Sequence, residues 1–174
     1  GYTLNSPHTG RFPQGNPHTK FGVGVKRLKV DKVVLGANGA KFNLNGEKYE
    51  TSLIGEFNVY NAAVAITVAL AEKISAEKIR QALASASAPP GRMEAVPTKK
   101  PFRVFVDYSY EPKGLEEALK TVKLFKPRWI IVLIGSAGGG RDRWRRPVMG
   151  EIADRYADII LVTSDDPYDE DPEA

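Results

Sequence analysis

Cysteine is absent from the sequence, and its absence excludes several kinds of chemistry. None of the 174 residues can form a disulfide, a thiolate metal site or a cysteine nucleophile, and a chain without cysteine is typical of a reducing compartment. Histidine is also scarce, because the two histidines, His8 and His18, both lie in the polar first twenty residues. We therefore expect neither a Ser-His-Asp triad nor a metal site built from several histidines.

Long apolar runs are lacking as well. No run approaches the roughly 20 residues that a membrane-spanning helix needs, and residues 1–20 do not contain the apolar core of a secretory signal. The sequence also lacks the phosphate-binding pattern G-x-x-x-x-G-K-[ST]. We expect no membrane insertion, and if ATP is the ligand, the chain lacks the usual phosphate cradle.

The composition, with 42% hydrophobic and 26% charged residues, provides enough apolar material for a sizeable core. The formal net charge of +4 favours an anionic ligand. Charge is concentrated in a basic cluster at residues 141–146 and in an acidic end at residues 165–173. Each cluster taken alone could also be a solvated surface, and a basic cluster this local does not favour nucleic-acid binding.

The first half of the chain shows strand patterns followed by helix patterns. Three short strands, Val30–Leu35, Lys41–Leu44 and Glu47–Leu53, are separated by Asn-Gly pairs that favour hairpin turns. A strongly apolar helix, expected to be buried on most sides, follows over Phe57–Lys73, and Ser75 can cap a second helix. Prolines then break the chain, so we expect one domain over residues 1–88 and another over 89–174.

The second half alternates strand and helix patterns. Strands are predicted at Phe102–Val106, Trp129–Ile134 and Asp158–Val162, with helices at Pro112–Leu124 and Pro147–Ala157 between them. This alternation predicts right-handed crossovers and a parallel sheet. The expected fold class is therefore α/β, with a Rossmann-like, mostly parallel sheet preceded by a β-meander and helices.

In a parallel sheet, ligands bind beyond the carboxyl ends of the strands. Three polar segments follow the predicted strands, at residues 107–110, 135–146 and 163–168, so we expect a binding site at that edge. Asp107 could bind a ribose, cap a helix or form a turn. The glycines of residues 135–140 could approach an anion or form a flexible connector. Arg141 and Arg146 could clamp carboxylate or phosphate oxygens.

Two further pairs of residues have more than one interpretation. Asn58 and Asn61 share a face at the start of the long helix, where they could line a ligand or cap the helix. Asp165 and Asp166 could hold an ammonium group, orient Arg141, or simply form an Asp-Pro turn.

Several segments resemble, in order, the motifs of the Mur ligases. They are Leu53–Ala63 (LIGEFNVYNAA), Pro90–Glu94 (PGRME), Val106–Pro112 (VDYSYEP), Gly139–Asp142 (GGRD), Arg146–Gly150 (RPVMG) and Thr163–Pro172 (TSDDPYDEDP). The resemblance covers about residues 20–174. Within the family it is strongest to the members that add the third amino acid to UDP-N-acetylmuramoyl-L-alanyl-D-glutamate.

The resemblance implies ATP- and Mg²⁺-dependent amide bond formation in peptidoglycan precursor synthesis, carried out in the cytoplasm by a monomer. The substrate carboxylate becomes an acyl phosphate, which the amine of a diamino acid attacks. By the same resemblance, the residues at the nucleotide are Asn58, Asn61, Arg92, Asp107 and Tyr108, with Asn58 near the adenine and Asp107 at the ribose. Those at the incoming amino acid are Arg141, Asp165, Asp166 and Tyr168, with Arg141 on its carboxylate. No metal ligand is assigned.

The chain departs from the family pattern at informative positions. Tyr110 and Glu111 replace a His and a Thr, and Asp166 and Tyr168 replace the Asn and Arg of an Asp-Asn-Pro-Arg motif typical of diaminopimelate-adding members. The Arg that would grip a second carboxylate is thus missing. We therefore expect lysine or ornithine to be preferred over meso-diaminopimelate.

Other family parts do not appear in the sequence, namely the UDP-binding domain, the phosphate-binding loop, the modified lysine that assists Mg²⁺, and the last strands of the C-terminal domain. We therefore expect a fragment, the end of the central ATPase domain plus most of the C-terminal domain, without ligase activity of its own. The alternatives are a ligase resembling folylpolyglutamate or cyanophycin synthetase, and a nucleotide-binding module without catalysis.

Overall fold

The computed structural model of the protein describes residues 18–19, 28–140 and 142–171. Helices and strands are mixed along the chain, which confirms the α/β class. The chain divides between Ala88 and Pro89 into two compact units. Among the described helices, none is both long enough and apolar enough to cross a bilayer.

The first unit contains an antiparallel sheet with the strand order β1-β2-β3-β4. Its strands are β1 (His18–Thr19), β2 (Leu28–Gly36), β3 (Gly39–Leu44) and β4 (Glu47–Thr51). The predicted meander is confirmed, because β2, β3 and β4 pair in sequence through the two Asn-Gly turns. Gly39 is required at the first turn, since its φ is +129° and an added Cβ would lie 2.0 Å from the carbonyl oxygen of Thr51.

Two helices, α1 (Glu56–Ala71) and α2 (Ala76–Ala84), pack against this sheet. The hydroxyl of Ser75 accepts a hydrogen bond from the backbone N–H of Lys78, as expected of a capping serine. The expectation that α1 is buried on most sides is wrong, because Val68 and Leu70 are more than two-fifths exposed. The helix carries apolar side chains on all of its sides, but the sheet and α2 cover only one of them. The buried core comprises Ala40, Phe42, Leu44, Tyr49, Val59, Ala62, Ala63, Ile66 and Ile79.

The second unit contains two small sheets and two helices. In chain order its elements are β5 (Glu94–Val96), β6 (Val104–Val106), α3 (Pro112–Lys123), β7 (Ile131–Ser136), α4 (Arg145–Tyr156) and β8 (Ile159–Ser164). Strands β7 and β8 pair in parallel, as the alternating pattern predicts. Strand β6 differs from the expectation, because it pairs antiparallel with β5. The strand that pairs with β6 is therefore the one that precedes it in the chain.

Helices α3 and α4 cover one face of the β7–β8 pair. Leu115, Leu119, Ile130, Met149 and Ile152 form the buried cluster there. The buried cluster anchors α4, which begins beside the loop that follows β7.

We predict that Phe42→Ala lowers the free energy of unfolding by about 3–5 kcal/mol, the usual cost of removing a large buried aromatic side chain. Phe42 is 2% exposed, and its ring lies 6.1 Å from that of Tyr49. Urea unfolding followed by circular dichroism measures the change. Lys41→Ala on the exposed face of the same strand is the control and is expected to change stability by about 0.5 kcal/mol or less. Equal effects of the two substitutions would contradict this core assignment.

Candidate functional site

Two loops meet at the carboxyl ends of β7 and β8. We name residues 137–140 the glycine loop and residues 165–171 the acidic loop. The parallel register pairs Gly135 with Thr163 and Ser136 with Ser164, so both loops leave the sheet at the same edge. The backbone N–H of Gly138 donates to the carbonyl oxygen of Asp166 at 3.0 Å, which joins the loops directly.

The glycine loop packs closely against the acidic loop. A Cβ added to Gly138 would lie 2.1 Å from the carbonyl oxygen of Pro167, and one added to Gly139 would lie 3.2 Å from the ring of Tyr168. The first distance leaves no room for a side chain at position 138, whereas at position 139 the Tyr168 ring would have to shift. The glycines therefore allow two backbones to approach each other, which neither sequence interpretation of this segment included.

Glu170 is the centre of the polar contacts between the loops. Its Oε1 accepts a hydrogen bond from the N–H of Gly140 at 3.0 Å and lies 3.2 Å from a guanidinium nitrogen of Arg143. Its Oε2 accepts a hydrogen bond from Arg146 at 2.8 Å, and Arg146 also donates to the carbonyl oxygen of Ala137. The Gly140 hydrogen bond and the Arg146 guanidinium lower the pKa of Glu170 from 4.5 to about 2.

Sequence reasoning missed Glu170 because it treated the acidic end as a run of similar charges. The signal that could have found Glu170 is that a basic and an acidic cluster each follow one of two neighbouring predicted parallel strands. Clusters placed in that way lie at one edge of a sheet and can form ion pairs. Apart from the possibility that Asp165 and Asp166 orient Arg141, each cluster is interpreted separately, as a solvated surface.

Three of the predicted amino-acid-binding residues, Asp165, Asp166 and Tyr168, lie on the acidic loop with exposed side chains. Asp166 has a φ of +43° and Tyr168 a φ of +56°, a left-handed conformation that non-glycine residues rarely adopt. Arg141, the fourth residue, lies outside the described part of the chain.

Asp107 follows β6 and makes two hydrogen bonds within the second unit. One carboxylate oxygen accepts the backbone N–H of Met93 at 2.7 Å, and the other accepts the hydroxyl of Ser109. These contacts support the turn-forming interpretation. They also leave acceptor positions available, because each carboxylate oxygen has two lone pairs.

Arg92 lies beside the segment that follows Asp107. Its guanidinium carbon is 5.1 Å from the centre of the Tyr108 ring, and it donates to the Tyr108 carbonyl oxygen at 3.4 Å. Tyr108 is 65% exposed. A cation and an exposed aromatic ring, which lie 16 residues apart in the sequence, are therefore in contact. Both are chain neighbours of the Asp107–Met93 hydrogen bond.

The two departures from the family pattern at residues 110 and 111 share one partner. Arg145 lies over the ring of Tyr110 at 5.5 Å and pairs with the carboxylate of Glu111 at 2.5 Å. Arg145 also pairs with Asp142 at 3.3 Å. The ring of Tyr110 contacts that of Tyr108 edge to face at 5.2 Å. Both replacements thus connect the segment after β6 to the start of α4.

In the first unit, Asn58 and Asn61 lie together at the start of α1. The side-chain amide of Asn61 donates to the side-chain oxygen of Asn58 at 3.1 Å, and Asn58 donates to the carbonyl oxygen of Ile54 at 2.8 Å. The capping interpretation is wrong, because Gly55 occupies the N-cap position and no side chain caps the helix. Asn58 is half-buried and Asn61 is exposed.

Within the described residues, no group of three or more His, Asp or Glu side chains could hold a metal ion.

The second unit is an α/β domain whose polar loops converge beyond the carboxyl ends of parallel strands, as in nucleotide- and substrate-binding enzyme domains. Residues 91–174 match the family model described as Mur ligase, glutamate ligase domain.

Comparisons with individual proteins agree with that match. A UDP-N-acetylmuramoyl-L-alanyl-D-glutamate–2,6-diaminopimelate ligase from Geobacillus thermodenitrificans is 49% identical over 161 residues, which is 90% of this chain and 33% of the relative. A solved structure of a ligase with the same name has a TM-score of 0.53 and 30% identity, covering 84% of this chain and 30% of its own.

The folylpolyglutamate synthetase of Lactobacillus casei shares the fold, with a TM-score of 0.57 and 21% identity over 76% of this chain and 33% of its own. The chain belongs to the Mur ligase family. It spans about a third of the length of the relatives that it matches.

We predict that the contribution of Glu170 to stability depends on pH. Its folded pKa of about 2 lies below its ordinary value of 4.5, so its stabilising effect is complete above the ordinary value and declines as the pH falls towards 2. The difference in unfolding free energy between the parent and Glu170→Gln should therefore be constant above about pH 5.5 and shrink between about pH 5 and 2. Urea unfolding at several pH values measures this difference.

Glu151→Gln, which removes the same charge from an exposed position of α4, is the matched control. We expect it to show no comparable pH-dependent difference from the parent. A Glu170→Gln difference that does not change with pH would contradict the ionised contacts of this residue.

Proposed function

We propose that this segment works within an ATP-dependent ligase that adds the third amino acid to UDP-N-acetylmuramoyl-L-alanyl-D-glutamate in the cytoplasm. The single observation that carries the proposal is the 49% identity to a ligase named for that dipeptide substrate. Residues 1–88 would belong to the end of its central ATP-binding domain. Residues 89–174 would belong to its C-terminal domain, in agreement with the family match at residues 91–174.

The proposed reaction has two steps. ATP transfers its γ-phosphoryl group to the free carboxylate of the muramoyl dipeptide, giving ADP and an acyl phosphate. The amine of the incoming amino acid then attacks the acyl carbon, the C–N bond forms and inorganic phosphate leaves. Because the sequence lacks a phosphate-binding loop, we propose that the 174-residue chain alone does not catalyse the first step.

The described residues fit contacts to the nucleoside part of ATP. Asp107 keeps acceptor positions for ribose hydroxyls, and Arg92 with Tyr108 offers a cation and an aromatic face close to it. In the first unit, the Asn58–Asn61 pair offers amides that can donate and accept at an adenine edge. The described residues do not fit a Mg²⁺ site, so no step is assigned to a metal held by them.

The acidic loop suggests which amino acid is added. Asp165 and Asp166 attract an ammonium group, and Tyr168 can donate only one neutral hydrogen bond where related enzymes have an Arg. The two described arginines that contact this loop, Arg143 and Arg146, are paired with Glu170. These charges favour lysine or ornithine. The relative from Geobacillus thermodenitrificans is named for 2,6-diaminopimelate, which makes that amino acid the competing candidate.

We predict that Asp107→Ala, in a full-length ligase that carries this segment, raises KM for ATP on the order of tenfold, which corresponds to about 1.4 kcal/mol of lost binding. The effect on KM for the amino acid should be smaller, because the ribose that Asp107 would contact is part of ATP. Steady-state phosphate release measures both constants. Ser109→Ala removes a hydrogen bond from the same carboxylate and is the control, with KM for ATP expected to stay near the parent value. An unchanged KM for ATP in Asp107→Ala would remove this residue from the nucleotide site.

We predict that the same ligase prefers lysine or ornithine over meso-diaminopimelate by on the order of a hundredfold in kcat/KM, because a second carboxylate beside two aspartates has no fixed cation. The three amino acids are assayed at equal concentration. The double variant Asp166→Asn with Tyr168→Arg should shift the preference towards diaminopimelate. A parent enzyme that prefers diaminopimelate would show that this charge argument is wrong.

A further inference from the structure

The acidic loop has a conformation that its own sequence does not favour. Asp166 and Tyr168 both have positive φ values, although neither is glycine. Such residues keep this conformation only when surrounding contacts impose it. The loop that carries Asp165, Asp166 and Tyr168 therefore needs external support if these side chains are to keep one arrangement.

The support comes from the glycine loop and from the start of α4. The Gly138 N–H binds the Asp166 carbonyl oxygen, and Pro167 and Tyr168 pack on Gly138 and Gly139. These backbone and packing contacts lie at the first part of the acidic loop. Its last part is held through the side chain of Glu170.

Glu170 fastens the loop to a rigid element. Its partner Arg146 lies in the first turn of α4, and Met149 on the next turn is 5% exposed in the core of the second unit. Its other partners, the Gly140 N–H and Arg143, lie on the chain between β7 and α4. One carboxylate thus connects the acidic loop to the glycine loop and to the buried helix.

We propose that Glu170 is a positioning residue for the incoming amino acid, a role that rests on the ligase function proposed above. By fixing the last part of the acidic loop, it keeps Asp165, Asp166 and Tyr168 in the arrangement that receives the amino acid. In this proposal Glu170 does not contact the substrate itself, since its carboxylate is already engaged by Gly140, Arg143 and Arg146 and its side chain is only 12% exposed. Its role is thus distinct from those of the exposed residues on the loop.

The kinetic test uses Glu170→Gln and Glu170→Ala in a full-length ligase that carries this segment, with Glu151→Gln as the matched control. Gln can still accept the Gly140 N–H but cannot form an ion pair with Arg146, whereas Ala loses all three contacts. We expect KM for the preferred amino acid to rise on the order of tenfold in Glu170→Gln and further in Glu170→Ala. KM for ATP should change little in either variant, and the control should match the parent.

The second measurement needs no catalysis. Amide hydrogen exchange of the 174-residue chain is followed by NMR at Gly138, whose N–H is bonded to the backbone of Asp166 and not to Glu170. If Glu170 holds the loop, Glu170→Ala should accelerate exchange at Gly138 severalfold, while amides of the α3–α4 core, such as that of Leu119, keep the parent rate. The control Glu151→Gln should leave both rates unchanged.

Each outcome is decisive. Unchanged KM for the amino acid in Glu170→Ala, or a parallel rise in both KM values together with accelerated exchange across the α3–α4 core, would overturn the positioning role. Unchanged exchange at Gly138 would overturn the claim that Glu170 holds the loop. A parent ligase that is inactive with lysine, ornithine and diaminopimelate would reject the proposed function itself, whatever the variants show.

Discussion

The parallel pairing of β7 with β8, from Ile131 with Ile159 to Ser136 with Ser164, is the constraint on which the candidate site depends. Parallel strands place their carboxyl ends at the same edge, so the glycine loop and the acidic loop meet there. The buried cluster on one face of this strand pair then fixes the start of α4 beside both loops. Oppositely charged segments far apart in the sequence become neighbours, and Glu170 forms its ion pairs as a consequence.

The start of α4 explains how the chain accommodates its departures from the family pattern at residues 110 and 111. Tyr110 and Glu111 both contact Arg145, so the two replacements are matched by one cation at the start of α4. The family's Asn and Arg positions, Asp166 and Tyr168, lie on the acidic loop and remain exposed. The replacements at residues 110 and 111 thus have charged or aromatic partners within the second unit.

Much of the fold could be predicted from the sequence, because local patterns determine it. The Asn-Gly turns predicted the meander, Ser75 predicted the start of α2, and the alternation of apolar strands with helices predicted the β7–β8 pairing. Strand β6 could not be predicted in the same way. An alternating pattern does not specify which neighbour pairs with a strand of three residues, and β5 lies closer in the chain.

By itself, the sequence determined the class of the fold, the family, and which loops carry the polar residues, because spacing, turn residues and ordered motifs are local properties. Only the tertiary structure decided what those residues contact. Glu170 was one acid among several until the fold brought it to Gly140, Arg143 and Arg146. The glycines were a flexible segment until Pro167 and Tyr168 packed on them. Ion pairs and close backbone contacts depend on distances between distant segments, and strand pairing together with the packing of α4 sets those distances.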